Sequence, residues 1–406
     1  QICDNCGSTM VKVGEEFVRT EVQFIPEKLK VIDHYRETYE CRSCRKNGTP
    51  YMEKAPVPYP PVLHSLASAS TITWLIHQKF ELSIPLYRQE KEWEALGLRL
   101  SRATMSNWLL VVYRDWLVHI VHRLKLELLK QRYLHIDETH VQVLKEPGRK
   151  NTSDSYMWVY CSIRDAVNPI RYFEYQPGRS GKYPEAFLRE YEGYIHTDAY
   201  SGYNAVSGVK RCLCYTHLRR AFVDALPKDI HNSEASKPAE AILRLNQLFN
   251  IESELEALPP DQKKKERLIR EKPLLEAFWS WAEKSAIGEL PKSKLSKAFH
   301  YALNNREGFW NYLEDGNCSI SNSLAENCIR PFVIGRKNWL FSGSPKGAEA
   351  SAGIYTLVET AKANGLAPMK YIKYILSDMP GSAFLEHPEY LDDYLPWNPL
   401  VKEFCR

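Results

Sequence analysis

YLHIDETHVQVL, residues 133–144, and GYIHTDAYSGY, residues 193–203, decide how this chain is read. Each opens as a short apolar run of strand character that ends on an aspartate, Asp137 in the first and Asp198 in the second. Between them YMWVYCSIR (156–164) and IRYFEYQPG (170–178) alternate or run apolar over strand lengths, and KEPGRKNTSDS (145–155) is polar turn. Three consecutive strands joined by polar turns predict an antiparallel meander. PEAFLREYE (184–192) then reads as a helix and GYIHTD (193–198) as a fourth strand, while VKRCLCY (209–215) is a fifth that leads into the helix THLRRAFVDAL (216–226).

That order predicts a mixed α+β or α/β fold with a ribonuclease H-like sheet, in which the ends of the first and fourth strands lie side by side at the centre. An isolated aspartate at a strand end mostly caps a turn. Two on adjacent central strands repel each other and raise each other's pKa unless cations sit between them. Oxygen-only ligands with open positions favour magnesium or manganese. Cutting or transferring a phosphodiester uses two such ions about 4 Å apart, held by converging carboxylates.

A third carboxylate is Glu326, in SNSLAENCIRPF (321–332). Its local alternative is a capping box, Ser323 to Glu326, in which the glutamate only bonds back to the helix start. Between Glu326 and Glu349 there is no acid, whereas Arg330, Arg336, Lys337 and Lys346 are basic. Arg330 lies four residues on, hence on the same helix face. A metal-binding carboxylate beside phosphate-binding arginine suits strand transfer; the plainer alternative for these basic residues is a solvated face. Trp339, inside the basic stretch, would stack on an unpaired or flipped base or fill core. Arg219 and Arg220 are a phosphate clamp or ordinary helix surface, and Cys214 with His217 lies just beyond the fifth strand.

With 406 residues, 44% of them apolar, the chain is long enough for two or three domains with a substantial core. Charged residues are 26%, and a net charge of +4 is too small to establish nucleic-acid binding without a local argument. The longest uninterrupted apolar run is WLLVVY (108–113), so no segment reads as a membrane span. No signal peptide precedes it, which predicts a cytoplasmic protein. The chain begins at Gln1 rather than Met, as expected of a stretch inside a longer reading frame.

Ten cysteines include two Cys-x-x-Cys pairs, Cys3/Cys6 and Cys41/Cys44, separated by strand-like stretches such as EFVRTEVQFI (16–25) and LKVIDHYRETYEC (29–41). Paired thiols without an export signal predict a metal site, and four thiolates suit one tetrahedral structural zinc in a ribbon. A redox or incidental pairing is the alternative. Proline-rich KAPVPYPPV (54–62) reads as a stiff linker. The predicted organisation is a zinc ribbon over 1–53, the linker 54–62, a helical region 63–130, a catalytic domain 131–379 with a helical insertion 228–315, and a tail 380–406. Ser101 is the expected N-cap of the last helix of the helical region.

Together these pieces resemble the insertion sequence 66 family of bacterial transposases, whose large subunit is of the TnpC type. The sharpest stretch is SLAENCIRPFVIGRKNWLFSGSPKGAEASAGIYTLVETAKANGLAP (323–368), similar to the family's C-terminal catalytic block. HIDETHVQV (135–143) and HTDAYSGYN (196–204) resemble the segments holding its two catalytic aspartates, and CYTHLRRAF (214–222) its Cys-x-x-His signature. PLYRQEKEWEALGLRLSRATMSNW (85–108) resembles its helical region, and the Cys-x-x-Cys pairs its zinc module. The resemblance implies that Asp137, Asp198 and Glu326 are a DDE triad for two Mg2+ or Mn2+ ions, with 228–315 as the insertion before the glutamate. It also implies DNA partners (transposon ends and target), a homo-oligomer in the synaptic complex, accessory transposition proteins, and a bacterial cytoplasmic, nucleoid-associated setting. The sequence departs from the family in having no coiled-coil and helix-turn-helix region and in carrying Asn327 where a basic residue is more usual. Two alternatives remain at this level: a truncated or domesticated DNA-binding remnant, and a ribonuclease H-like nuclease without strand transfer.

Overall fold

In the computed structural model, residues 4–12, 15–17, 19–20, 22, 28–227 and 236–406 are described. The chain divides into two units, Gln1–Pro56 with Ala95–Gly97, and Val57–Glu94 with Leu98–Arg406.

In the first unit, β1 (Thr38–Glu40), the short helix α1 (Arg42–Lys46) and β2 (Met52–Lys54) form a small antiparallel hairpin. The strand expectation for 29–41 is corrected here: only 38–40 is strand. Val31 and Tyr35, each 87% exposed, have no apolar surface to alternate against, and a strand without a partner ladder is not stable. The 16–25 stretch forms no strand among its described residues, and its positions 18, 21 and 23–25 lie outside them.

The second unit opens with helices α2 (Ala69–Ile76), α3 (Leu86–Ala95), α4 (Arg102–Val112) and α5 (Val118–Leu129). Ser101 caps α4 as predicted, its hydroxyl accepting from the Thr104 amide at 3.1 Å. The sheet follows: β3 (Tyr133–Val143), β4 (Asp154–Ser162), β5 (Arg171–Gln176), then helix α6 (Lys182–Phe187), β6 (Gly193–Thr197), β7 (Val209–Leu213) and helix α7 (Tyr215–Val223). The strand order is β5-β4-β3-β6-β7. The first three strands are the expected antiparallel meander, while β6 runs parallel to β3 and β7 parallel to β6. No helix joins β6 to β7; a 3-10 turn over Ser201–Ala205 does so.

The predicted helical insertion contains helices and no strand among its described residues: α8 (Lys237–Glu254), α9 (Pro260–Glu266), α10 (Lys272–Ala286), α11 (Lys294–Asn304) and α12 (Arg306–Trp310). Leu245, Phe278, Trp279 and Phe299 give it a core of its own, continuous with Leu213 and Tyr215. Residues 228–235 lie outside the described residues. The chain then returns through α13 (Ser323–Trp339), a two-residue strand β8 (Phe341–Ser342) on β3, and α14 (Pro345–Ala363). It ends in α15 (Pro368–Asp378) and, after 3-10 turns, α16 (Pro399–Cys405).

Helix α14 covers the exposed edge of the sheet. Thr356 and Thr360 hydroxyls accept from the amides of Phe173 and Arg171 on β5, at 2.8 and 3.1 Å. Unpaired edge amides are thereby satisfied inside the protein rather than by water or another chain. Gly353 lets the same helix approach, because a Cβ there would lie 2.0 Å from the Tyr113 ring. Among the described residues no helix is long and apolar enough to cross a membrane.

Candidate active site

The parallel register of β3 and β6 aligns His135 with His196. Carried two residues further, it brings Asp137 alongside Asp198, on the face where the two imidazoles stack 4.2 Å apart. Asp137 is not at a strand end as expected: β3 runs on to Val143, because Glu138–Gln142 find antiparallel partners on β4. Asp198 does lie one residue past its strand. Its Oδ1 accepts from the Tyr200 amide at 2.9 Å, which turns the chain away.

Glu326 lies in the first turn of α13. The capping-box alternative is not what forms, since Asn322 is the N-cap and Ser323 is already helical. Nor does the Asn322 side chain cap its own helix: Nδ2 donates to Ile136 O at 2.8 Å, and Oδ1 bonds His135 Nδ1 at 3.0 Å. The start of α13 is thus fastened to β3 beside Asp137. Glu326 is left with Oε1 buried and without a hydrogen-bond partner.

Asp137 feels the charges of the other two carboxylates. Burial first, then the charge of Glu138, then those of Asp198 and Glu326, push the Asp137 carboxyl up to about 7, against the lowering effect of the Glu138 amide. Like charges gathered on Asp137, Asp198 and Glu326, together with an unpartnered buried oxygen, fit a hard divalent ion held by oxygen ligands.

Sequence reasoning missed the residues that hold this group in place. Glu138, whose side chain is 2% exposed, accepts from Arg179 Nε at 2.6 Å and from the Tyr203 hydroxyl at 2.5 Å. Arg179 Nη2 also stands 4.0 Å from Asp198 Oδ2, and its guanidinium lies 3.9 Å over the Tyr200 ring. Arg211 donates to Thr197 Oγ1, Asp198 O and Tyr200 O at 2.6–2.8 Å, fixing the loop after β6. The only signal for Glu138 in the sequence was its position next to Asp137; nothing in the sequence singled out Arg179 or Arg211.

Cys214 and His217 are drawn into the site. The donor atoms of Cys214, His217 and Glu326 all lie within 4.8 Å of one another, and His217 Nδ1 is 3.7 Å from Glu326 Oε1. Burial opposes ionisation of the Cys214 thiol, but His217 and the Asn322 amide outweigh it and hold the thiol below its usual value. The same contact with Cys214 raises His217, against burial.

The basic candidates divide. Arg219 donates to Asn246 on α8 at 2.7 Å, and Arg336 donates to Thr139 Oγ1 at 3.0 Å and to His140 O, so both are tied to their own protein. Arg220, Arg330 and Lys337 are exposed. Trp339 is half-buried against the core, with Lys79 Nζ 5.6 Å from its ring.

In the first unit, Cys41 precedes α1 and Cys44 lies on it. The Cys44 amide and thiol lower the Cys41 pKa, and the same thiol contact raises that of Cys44. Cys6 is exposed, and Cys3 lies outside the described residues.

Residues 64–350 match the family model described as Transposase IS66 family, and residues 1–45 match the zinc-finger binding domain of transposase IS66. Two proteins of Sinorhizobium fredii (strain NBRC 101917 / NGR234) are similar along the whole chain. The uncharacterized protein y4hP is 27% identical over 97% of this chain and 73% of its own length. The uncharacterized protein y4jD is 26% identical over 98% of this chain and 78% of its own.

Proposed function

This chain belongs to the IS66 transposase family, and from that premise we propose that it is a DDE transposase that cuts transposon ends and joins them to target DNA. One observation carries the reading: the parallel register of β3 and β6, carried two residues beyond His135 and His196, sets Asp137 beside Asp198, and the charges of Asp198 and Glu326 both raise the Asp137 carboxyl, while Glu326 Oε1 has no partner. A ribonuclease H-like core is supported by the order β5-β4-β3-β6-β7, antiparallel on one side and parallel on the other.

Asp137, Asp198 and Glu326 are the residues that would hold a pair of Mg2+ or Mn2+ ions. Such ions, when bound, supply Lewis-acid charge that activates water or a 3′ hydroxyl and stabilises the leaving oxygen. Around them, Arg179 partly offsets the charge of Glu138, which otherwise adds to the negative charge at the cradle. Arg220, Arg330 and Lys337, exposed and basic, are suited to phosphate contacts that orient the DNA backbone. Arg219 and Arg336 serve that role only through the elements they fasten, and Trp339, half-buried against the core, is a weaker candidate for stacking on a base. Direct transesterification needs no covalent protein–DNA link, so no nucleophilic serine or tyrosine belongs to the reading.

The zinc-finger match supports one structural zinc, for which Cys3, Cys6, Cys41 and Cys44 are the proposed ligands. DNA ends and target, further copies of this chain in a synaptic complex, and accessory transposition proteins are the proposed partners, in a bacterial cytoplasm.

The test is end cleavage of a donor plasmid in Mg2+ or Mn2+. Asp137→Asn should abolish cleavage and leave DNA binding within a few-fold of the wild type. Wild-type cleavage by that variant removes Asp137 from the mechanism. Cleavage without joining of a supplied pre-cut end would identify a nuclease instead, and DNA binding with neither reaction would identify a remnant.

A further inference from the structure

The Cys-x-x-His signature takes no part in the reaction as proposed above, yet it stands against the third carboxylate. Three backbone and side-chain bonds meet there. The Cys214 amide donates to Thr197 O, beside Asp198, at 3.1 Å. The Asn322 amide, four residues before Glu326, donates to Cys214 Sγ at 3.1 Å. Asn322 Nδ2 donates to Ile136 O, beside Asp137, at 2.8 Å. The backbones carrying Asp137, Asp198 and Glu326 are therefore fastened to one another through Cys214 and Asn322.

What that frame leaves free is the side chain of Glu326, which has three rotatable bonds and starts from the first turn of a helix. Facing it is His217, carried one helical turn beyond Cys214. His217 Nδ1 and Glu326 Oε1 are both buried, both lack a hydrogen-bond partner, and lie 3.7 Å apart. That distance is within ion-pair range and just beyond a hydrogen bond. A donor on one carboxylate oxygen removes rotamers that point elsewhere and leaves the second oxygen directed toward the aspartates.

We propose that His217, seated by Cys214 and Asn322, is the positioning residue for Glu326: it grips Oε1 so that the other oxygen completes the carboxylate cradle. The inference rests on the two-ion reading of Asp137, Asp198 and Glu326. A positioning partner of this kind changes metal affinity by about 10- to 100-fold when it is lost. The chemistry asked of the position is a single N–H donor at the place of Nδ1, which an asparagine amide can also supply.

Mn2+ binding to the full, zinc-loaded chain, followed by titration calorimetry, tests this without relying on catalysis. Asp137→Asn reports on the cradle itself. His217→Phe keeps a ring and removes the donor, whereas His217→Asn restores an N–H near the Nδ1 position. The expected result is Mn2+ binding at least about tenfold weaker in His217→Phe and recovered to within a few-fold in His217→Asn. Unchanged binding in His217→Phe, with Asp137→Asn weakened, would overturn the positioning role and leave the cradle standing. Equal loss in both His217 variants would also overturn it, since the position would then matter only for packing. Unchanged binding in Asp137→Asn would remove the cradle reading, and the inference with it.

Discussion

Arg267, wholly buried in the helical insertion, donates from Nη2 to the carbonyl oxygen of Cys318 at 2.8 Å. Cys318 lies in the loop that leads into α13, so a residue of the insertion holds the approach to Glu326. The same guanidinium donates to Tyr312 O and Asp315 O at 3.0 and 3.1 Å, and forks onto Glu252 at 2.5 and 2.8 Å. All of its donor directions are used, which is what makes a fully desolvated guanidinium tolerable. The insertion is therefore more than a lobe beside the sheet. It grips one of the three segments that build the candidate site.

Removing that guanidinium leaves Glu252 charged and buried, along with three carbonyl oxygens that lose a donor. Arg267→Met is expected to lower the unfolding free energy by about 3–5 kcal/mol. The double variant with Glu252→Gln should recover part of the loss, because the buried charge left with only Lys263, 3.5 Å away, is gone. Urea denaturation of the three proteins measures both; a single variant as stable as the wild type would mean that the loop is held by something else.

Glu271 gives a pH dependence with a definite sign. It is wholly buried, accepts from the Tyr312 hydroxyl at 2.7 Å, and lies beside Glu252. Burial first, then the Glu252 charge, push its carboxyl from 4.5 up to about 8. The folded chain thus keeps a proton that the unfolded chain gives up near the ordinary value. Its contribution to stability is complete below the unfolded pKa and is lost as pH rises toward about 8. The urea midpoint should fall between pH 5 and pH 8 in the wild type and flatten in Glu271→Gln, whose amide cannot ionise. Identical slopes in the two proteins would assign the titration to another group.

The first unit should depend on its metal far more than the second does. Among its described residues over 4–56 none is buried, so these supply no apolar core to hold it together. For such a unit the free energy of metal binding is its folding free energy. Chelation of zinc should abolish amide protection around Cys41–Cys44 while leaving that of β3 and β4 unchanged, as read by hydrogen exchange. Protection at Cys41–Cys44 that survives complete zinc removal would show that the hairpin folds by itself.

Much of this was legible in the sequence, for identifiable reasons. The meander and the helices announce themselves because β4 buries an almost continuous apolar run of strand length and α4 buries Met105, Trp108, Leu109 and Val112 at helical spacing. The two aspartates could be paired from the sequence because a parallel register follows once strand order is guessed. What escaped was whatever depends on a distant partner. Nothing local says that the Asn322 side chain leaves its own helix for β3, which turns an apparent capping box into an ordinary first turn. Nothing local separates Arg219 and Arg336, tied to Asn246 and to β3, from the exposed Arg220 and Arg330. Asp137 read as the end of its apolar run because the mostly polar Glu138–His140 follow it, and it is their antiparallel partners on β4 that carry the strand past the aspartate.

Arg179 supplies the last prediction, because it is a counter-charge inside an acidic site. Its guanidinium bonds Glu138, approaches Asp198 to 4.0 Å and rests on the Tyr200 ring. Glu138 is already raised, by burial first, with Tyr203 and Arg179 pulling it back down. Without Arg179 its charge would stand unbalanced beside Asp137, whose carboxyl Glu138 already pushes up. Two consequences follow, with different signatures. Arg179→Met should lose about 1–2 kcal/mol of stability, a figure kept modest because the arginine side chain is 41% exposed and water screens part of the pair. Mn2+ binding at neutral pH should weaken as well, since a carboxyl that holds its proton more tightly is a poorer ligand. Arg179→Met combined with Glu138→Gln removes both charges and should restore the metal affinity even if the lost packing on Tyr200 keeps the protein less stable. Calorimetry of the single and double variants separates the effects: if the double variant binds Mn2+ as weakly as the single one, Arg179 acts on the site through shape and not through charge.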